Sequence, residues 1–170
     1  MTWADMTIPD SKRLRYRSGP VPQPLVLELL NHAVWAPNHG LREPWRFIYV
    51  DNGKGDALGK SQEPAPAYLV VAMKEEENPY KRHEDFAAVC CLVQNFRLLA
   101  WERQLGVKAT RPEWTDDPQR RRSFGIRETE SIAFVLEMGF VDPPPPESAS
   151  AEAASSAAAP APAGIAFELF

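Results

Sequence analysis

Trp35-Ala36-Pro37-Asn38-His39-Gly40-Leu41-Arg42-Glu43-Pro44-Trp45-Arg46-Phe47 is the stretch from which the rest of this chain is read. It joins an amphipathic run, residues 24–34, to an apolar run, residues 47–50. Proline disfavours the α conformation in the residue before it, so Pro37 closes the preceding helix. Gly40 permits a positive φ or a close backbone approach. The spacing predicts a rigid turn at a helix–strand junction that carries Asn38, His39, Arg42 and Glu43, with aromatics directly behind. Such a turn can present backbone N–H groups and short polar side chains to a flat ligand. It can equally be an ordinary connection facing water, and residue chemistry alone leaves both readings open.

Outward from the loop, residues 22–35 read as a helix. Leu25, Leu29, Leu30, Ala33 and Val34 recur at helical spacing, with His32 off the stripe and exposed. Residues 46–50 read as a strand ended by the Asp51-Asn52-Gly53 turn. Residues 67–73, Ala-Tyr-Leu-Val-Val-Ala-Met, form a near-continuous apolar run expected as a central strand covered on both faces. A charged loop, 74–84, precedes a long helix over 85–104, apolar over a wide arc and expected to be buried on more than one side. Gly106 is expected to cap it. Asp116-Asp117-Pro118 opens a short helix, 119–124, whose Arg120, Arg121 and Arg122 read as solvated.

The whole chain bounds what these pieces can be. Its 170 residues, 44% hydrophobic, suffice for one compact core. A net charge of −4 gives no bulk basicity for nucleic acid or a membrane surface, and no apolar run approaches spanning length. Residues 1–10 lack the basic-then-apolar pattern of a signal peptide, so a cytoplasmic protein is expected. Cys90 and Cys91 are adjacent in a helical pattern that cannot easily close a disulfide, and read as small buried apolar residues of a reduced protein. His32, His39 and His83 have no metal-ligand spacing. Residues 1–146 make the domain. Residues 147–164 collapse to Ala, Ser, Pro and Glu and make a linker. Residues 165–170 end the chain with strand-like alternation, either fraying or docking by strand addition.

The loop Ala36-Pro37-Asn38-His39-Gly40-Leu41-Arg42-Glu43-Pro44-Trp45-Arg46-Phe47 resembles the signature loop of the nitroreductase-like flavoprotein family, in the branch with an A-P-[ND]-H-x-x-x-x-P-W-[RH]-F pattern. Weaker similarity runs from about Lys12 to Phe140, including the Gln94-Asn95 helix, and implies a strand over residues 107–111 and a final strand over 131–140, where Ala133 replaces the usual glycine. The resemblance implies an α+β fold: a mixed, mainly antiparallel sheet flanked by helices, here with a shortened middle region at residues 54–66. It further implies a homodimer holding FMN at the subunit interface, with the chain's C-terminal segment crossing to the partner.

The implied activity is ping-pong hydride transfer from NADH or NADPH to a small-molecule electron acceptor such as a nitro compound or quinone. The implied cofactor-binding residues are Lys12, Arg13 and Arg15 as a phosphate clamp before Pro20-Val21-Pro22, then Pro37, Asn38, His39, Gly40 and Trp45 around the ring, and Thr110 and Arg111 at the flavin edge. Arginine suits a dianionic phosphate because its fork binds two oxygens at once, and a positive charge at the ring edge tunes the redox potential. His39 is a candidate either for donating a proton to the reduced substrate or for a structural role in the loop. The other reading is a flavin-binding or flavin-free protein that kept the fold, lost turnover and acts through interaction. Pro112 in place of the family glycine, Ala133, the short middle and an unmatched C-terminal basic residue bear on that choice.

Overall fold

The structure is a computed structural model and describes residues 14–51 and 65–142. Lys12, Arg13, most of the shortened middle, the linker and the C-terminal segment lie outside the described residues. Helix α1 (Gln23–Ala33) leads through the loop, whose residues His39–Leu41 make one 3-10 turn, into strand β1 (Trp45–Asp51). Strand β2 (Ala67–Lys74), helix α2 (Pro79–Glu102), strand β3 (Leu105–Thr110), helix α3 (Pro118–Ser123) and strand β4 (Glu130–Phe140) follow. The sheet order is β1-β2-β4-β3, and every pairing among the described strands is antiparallel. This is the expected α+β layout.

Strand β2 sits inside the sheet and is buried from Ala67 to Met73. Ala67, Leu69, Val71 and Met73 face the layer made by α1 and α2, where Val89, Leu92 and Phe96 complete the main core. Tyr68, Val70 and Ala72 face the other side, beneath Tyr16, Trp114 and Phe124. Two buried faces explain why the strand reads as an unbroken apolar run. The register between β2 and β4 shifts at Val71/Ala72, which leaves Ala133 without a partner in β2. The residue that replaces the expected glycine therefore lies at a bulge.

Five expectations need correction. Helix α2 begins at Pro79, not at residue 85: Asn78 accepts hydrogen bonds from the Tyr80 and Lys81 amides, and Pro79 fills the first helical position. Gly106 does not cap α2; the chain turns at Gln104 (φ 57), and Gly106 already lies in β3. Its missing side chain serves packing, because a Cβ there would stand 2.7 Å from Val141 Cγ1. The cysteines are not buried: Cys90 is half-buried and Cys91 exposed. The buried residues of α2 form one stripe through Ala88, Val89, Leu92, Val93 and Phe96, so within one chain the helix is covered on one side only. Arg121 is not merely solvated, since its side chain is 23% exposed and faces Glu75. Of the two amides in α2, Gln94 lies at the surface and accepts from Arg97.

Residues 14–17 lie across the far end of the sheet. The Tyr16 hydroxyl donates to the Glu137 carbonyl and the Arg17 amide to the Phe140 carbonyl. Burial and the neighbouring Glu137 hold the Tyr16 phenol well above its ordinary value. The ring occupies the space over Gly139, where a Cβ would come within 2.7 Å of it and 2.8 Å of Pro66. Gly139→Ala should therefore destabilise the fold by about 1–3 kcal/mol through overpacking. Chemical denaturation measures this, and an unchanged midpoint would contradict the packing argument.

Candidate functional site

The loop is held in a conformation that most side chains avoid. Gly40 has φ 64, and Leu41 (φ 52) and Glu43 (φ 43) are also left-handed without being glycines. Such residues cost energy and persist where the surroundings over-determine them. Two sets of contacts do so here. Within the loop, Asn38 donates to the Ala36 carbonyl at 3.3 Å and accepts from the Glu43 amide at 3.2 Å. Across to α2, Arg42 donates from Nε to Asp85 at 2.9 Å and from Nη2 to Glu84 at 3.1 Å. Asp85 is 6% exposed, and Arg42 is its ion-pair partner among the described residues. The hydrogen bond to Asp85, then that to Glu84, raises the Arg42 pKa further. His39 is exposed, with Nδ1 3.9 Å from Glu84. Pro44 closes the loop by accepting from the Lys74 amide, and Trp45 opens β1, half-buried against the main core.

A second ionic cluster ties the same corner to the opposite face of the sheet. Arg46 grips Glu130 with two bonds, Nε to Oε1 at 2.8 Å and Nη2 to Oε2 at 2.5 Å. It also donates to the Gly125 carbonyl. Glu130 is 3% exposed and additionally accepts the Arg127 amide at 3.0 Å. The Arg46 fork, outweighing burial, holds the Glu130 carboxyl below its ordinary value.

The structure brings Pro37, Asn38, His39 and Gly40 together, with Trp45 behind them. It does not bring the other predicted residues to the same place. Arg15 is exposed beside Tyr16, at the end of the sheet where Ala67 pairs with Met138, whereas the loop meets Lys74 at the other end of β2. Seven residue steps of β2 separate those ends, roughly 23 Å. Thr110 ends β3, the edge opposite β1, and Arg111 follows it. Thr110 donates to the Val135 carbonyl, and Arg111 reaches Asp116 at 2.8 Å. Three strand spacings, roughly 14 Å, lie between the two edges. As a donor set the residues suit a phosphate-bearing, flat, hydrogen-bonding ligand such as FMN, but as separate parts rather than one pocket.

Sequence reasoning saw Arg42 as a loop residue and missed its role. It missed Glu84, Asp85 and the Arg46–Glu130 pair altogether. Each pair joins positions more than 40 residues apart, and one sequence carries no signal for such pairings beyond opposite charge.

Comparisons with known proteins agree with the fold. The model of the nitroreductase family matches residues 10–62. A protein of Bacillus subtilis (strain 168) named "Putative NAD(P)H nitroreductase YfhC" is 32% identical over 152 residues, covering 75% of this chain and 78% of that protein. The crystal structure of a nitroreductase-like family protein from Bacillus cereus superposes with a TM-score of 0.71 at 30% identity, over 86% of this chain and 89% of that one. An FMN-dependent nitroreductase from Clostridium difficile R20291 shares the fold at 20% identity, with a TM-score of 0.62 over 79% of this chain and 87% of that one.

Proposed function

The chain belongs to the nitroreductase family, and from that premise we propose that it works as a homodimeric, FMN-dependent oxidoreductase. It takes hydride from NADH or NADPH and passes electrons to a small acceptor such as a nitro compound or quinone. The observation that carries this reading is the signature loop. Its left-handed turn at Gly40 is fixed from below by Arg42 and left open above, with His39 and Gly40 exposed.

The chemistry FMN supplies when bound is hydride acceptance at N5 and transfer to a second substrate in the same site, in ping-pong order. The chain's part is to bind and orient. Lys12, Arg13 and Arg15 supply the positive charge for the phosphate. The backbone of Pro37 to Gly40, with Asn38 and His39, presents hydrogen-bonding groups to the ring. Thr110 and Arg111 supply a hydroxyl and a cation for its polar edge.

The separation of Arg15 from the loop along the sheet supports a site to which two chains contribute. Large apolar side chains around the loop support that arrangement: Trp35 is 86% exposed, Leu41 82% and Tyr80 71%. A second copy of this chain is the partner proposed for this face. The free thiols Cys90 and Cys91 suit a reducing, cytoplasmic setting.

The purified protein should show flavin absorption bands, release FMN on heating, oxidise NADH or NADPH when given an acceptor, and sediment at twice the chain mass. A colourless protein that takes up no added FMN would overturn the oxidoreductase reading and leave the non-catalytic alternative. A monomer that binds FMN would overturn the shared site.

A further inference from the structure

A small cavity on the α3 side of the sheet is absorbed by none of this. It measures about 160 Å³ and is lined by Pro118, Arg121, Arg122, Ile126, Arg127 and Glu128. Three guanidinium groups thus face one carboxylate. The carboxylates near them leave the arginines under-compensated. Glu130 is 3.8 Å from the Arg127 guanidinium, but its two oxygens are already engaged by Arg46 and by the Arg127 amide. Glu128 is 92% exposed and 4.0 Å from Arg122. Glu75 is half-exposed and 3.6 Å from Arg121. All three separations exceed hydrogen-bonding distance, and the pairs of Arg122 with Glu128 and of Arg121 with Glu75, whose carboxylates are exposed, are weak and screened.

Arg121 is the anchored member. Its guanidinium donates to the Glu130 carbonyl, and its helix is capped by Asp117. Arg122 and Arg127 are largely exposed, and each guanidinium carries five N–H donors. Ile126, buried, and Pro118 give the cavity an apolar wall. A larger cavity nearby, lined by Glu75, Glu76, Glu77 and Glu128 with a single arginine, would repel the same ligand.

We propose that Arg121, Arg122 and Arg127 form a binding site for a phosphomonoester dianion, carried either by a nucleotide or by free phosphate. Planar forks that grip two oxygens at once make clustered arginines suited to a phosphate group, and the volume admits that group rather than a whole nucleotide.

Titration calorimetry on the full-length protein at low salt tests this with three probes: inorganic phosphate, adenosine 2′-monophosphate and adenosine. Tighter binding of the 2′-monophosphate than of adenosine, by about tenfold or more, assigns a nucleotide ester. Binding of inorganic phosphate with no advantage for the nucleotide assigns free phosphate. In either case the Arg122→Gln/Arg127→Gln double variant should lose at least about tenfold in affinity, and Arg122→Lys/Arg127→Lys should retain part of it, because lysine keeps the charge without the fork. Both changed residues are exposed, so the melting temperature should stay within a few degrees of the parent. Phosphate and adenosine 2′-monophosphate both failing to bind, or binding equally to parent and double glutamine variant, overturns the proposal. The assay involves no added flavin and no turnover, so its result is separate from that of the flavin test.

Discussion

An Arg46→Met variant should melt about 10 °C below the parent protein. Methionine keeps most of the aliphatic stem but leaves Glu130 buried, with one backbone amide for a partner. Removing one member of a fully buried pair costs about 3–5 kcal/mol. Arg46 is about a third exposed, so solvent screening brings the expected cost to about 2–3 kcal/mol. At about 4 °C per kcal/mol for a domain of this size, that gives the stated shift.

The pH dependence has a definite sign. The folded-state pKa of Glu130 is lowered, so the pair's contribution is present above the unfolded-chain value, near 4.3. It is lost as pH falls below that value and through the folded-state one. Circular-dichroism melts at neutral pH and at successively lower pH should show the gap between parent and variant closing as the medium acidifies. A gap below about 3 °C at neutral pH would mean that the pair contributes no more than an ordinary surface contact.

The second large effect concerns the loop. Asp85→Ala should weaken FMN binding by about 10- to 100-fold while changing global stability less than Arg46→Met does. Leu41 and Glu43 each sit in a backbone region that costs about 1–3 kcal/mol. Arg42, held by Asp85 and Glu84, opposes their relaxation. Without Asp85 the free protein relaxes the loop, and binding must restore the strained form, which lowers the apparent affinity by that fraction. Arg42→Gln should act in the same direction, and Glu84→Gln more weakly, because Asp85 would still hold Nε. Flavin fluorescence titration reads the dissociation constants. If neither Asp85→Ala nor Arg42→Gln changes them, the clamp does not position the loop for flavin.

The parts of the molecule that could be read from the chain are those whose causes are local. The apolar run of β2, the stripe of α1 and the turn at Gly40 follow from side-chain periodicity and from proline and glycine placement, whereas the extent of β4 came from its resemblance to a family strand. The start of α2 was legible in principle, since Asn78-Pro79 is a cap followed by a first-turn proline. The density of charge around it concealed the signal. Gly106 and Gly139 could not be separated by sequence from cap or turn glycines, because their role depends on Val141 and Tyr16 pressing against them. In the candidate site, the loop residues were legible as a contiguous motif. The clamp Arg42–Asp85 and the cluster around Glu130 were not, since only the folded chain places them side by side.

The order of the strands also bears on the timing of folding. Strand β4 lies between β2 and β3, yet it is the last of the four to leave the ribosome. Until residue 140 has emerged, β2 and β3 cannot belong to one sheet. The β1–β2 hairpin must then wait with one flank of its most apolar strand uncovered. Pairing β2 with β4 closes a segment of more than 50 residues that contains α2, β3 and α3, and distant closures of this kind slow folding. The nascent chain thus carries an unpaired apolar edge from the completion of β2 until β4 has emerged, a condition that favours chaperone capture and makes early termination of the chain an aggregation hazard.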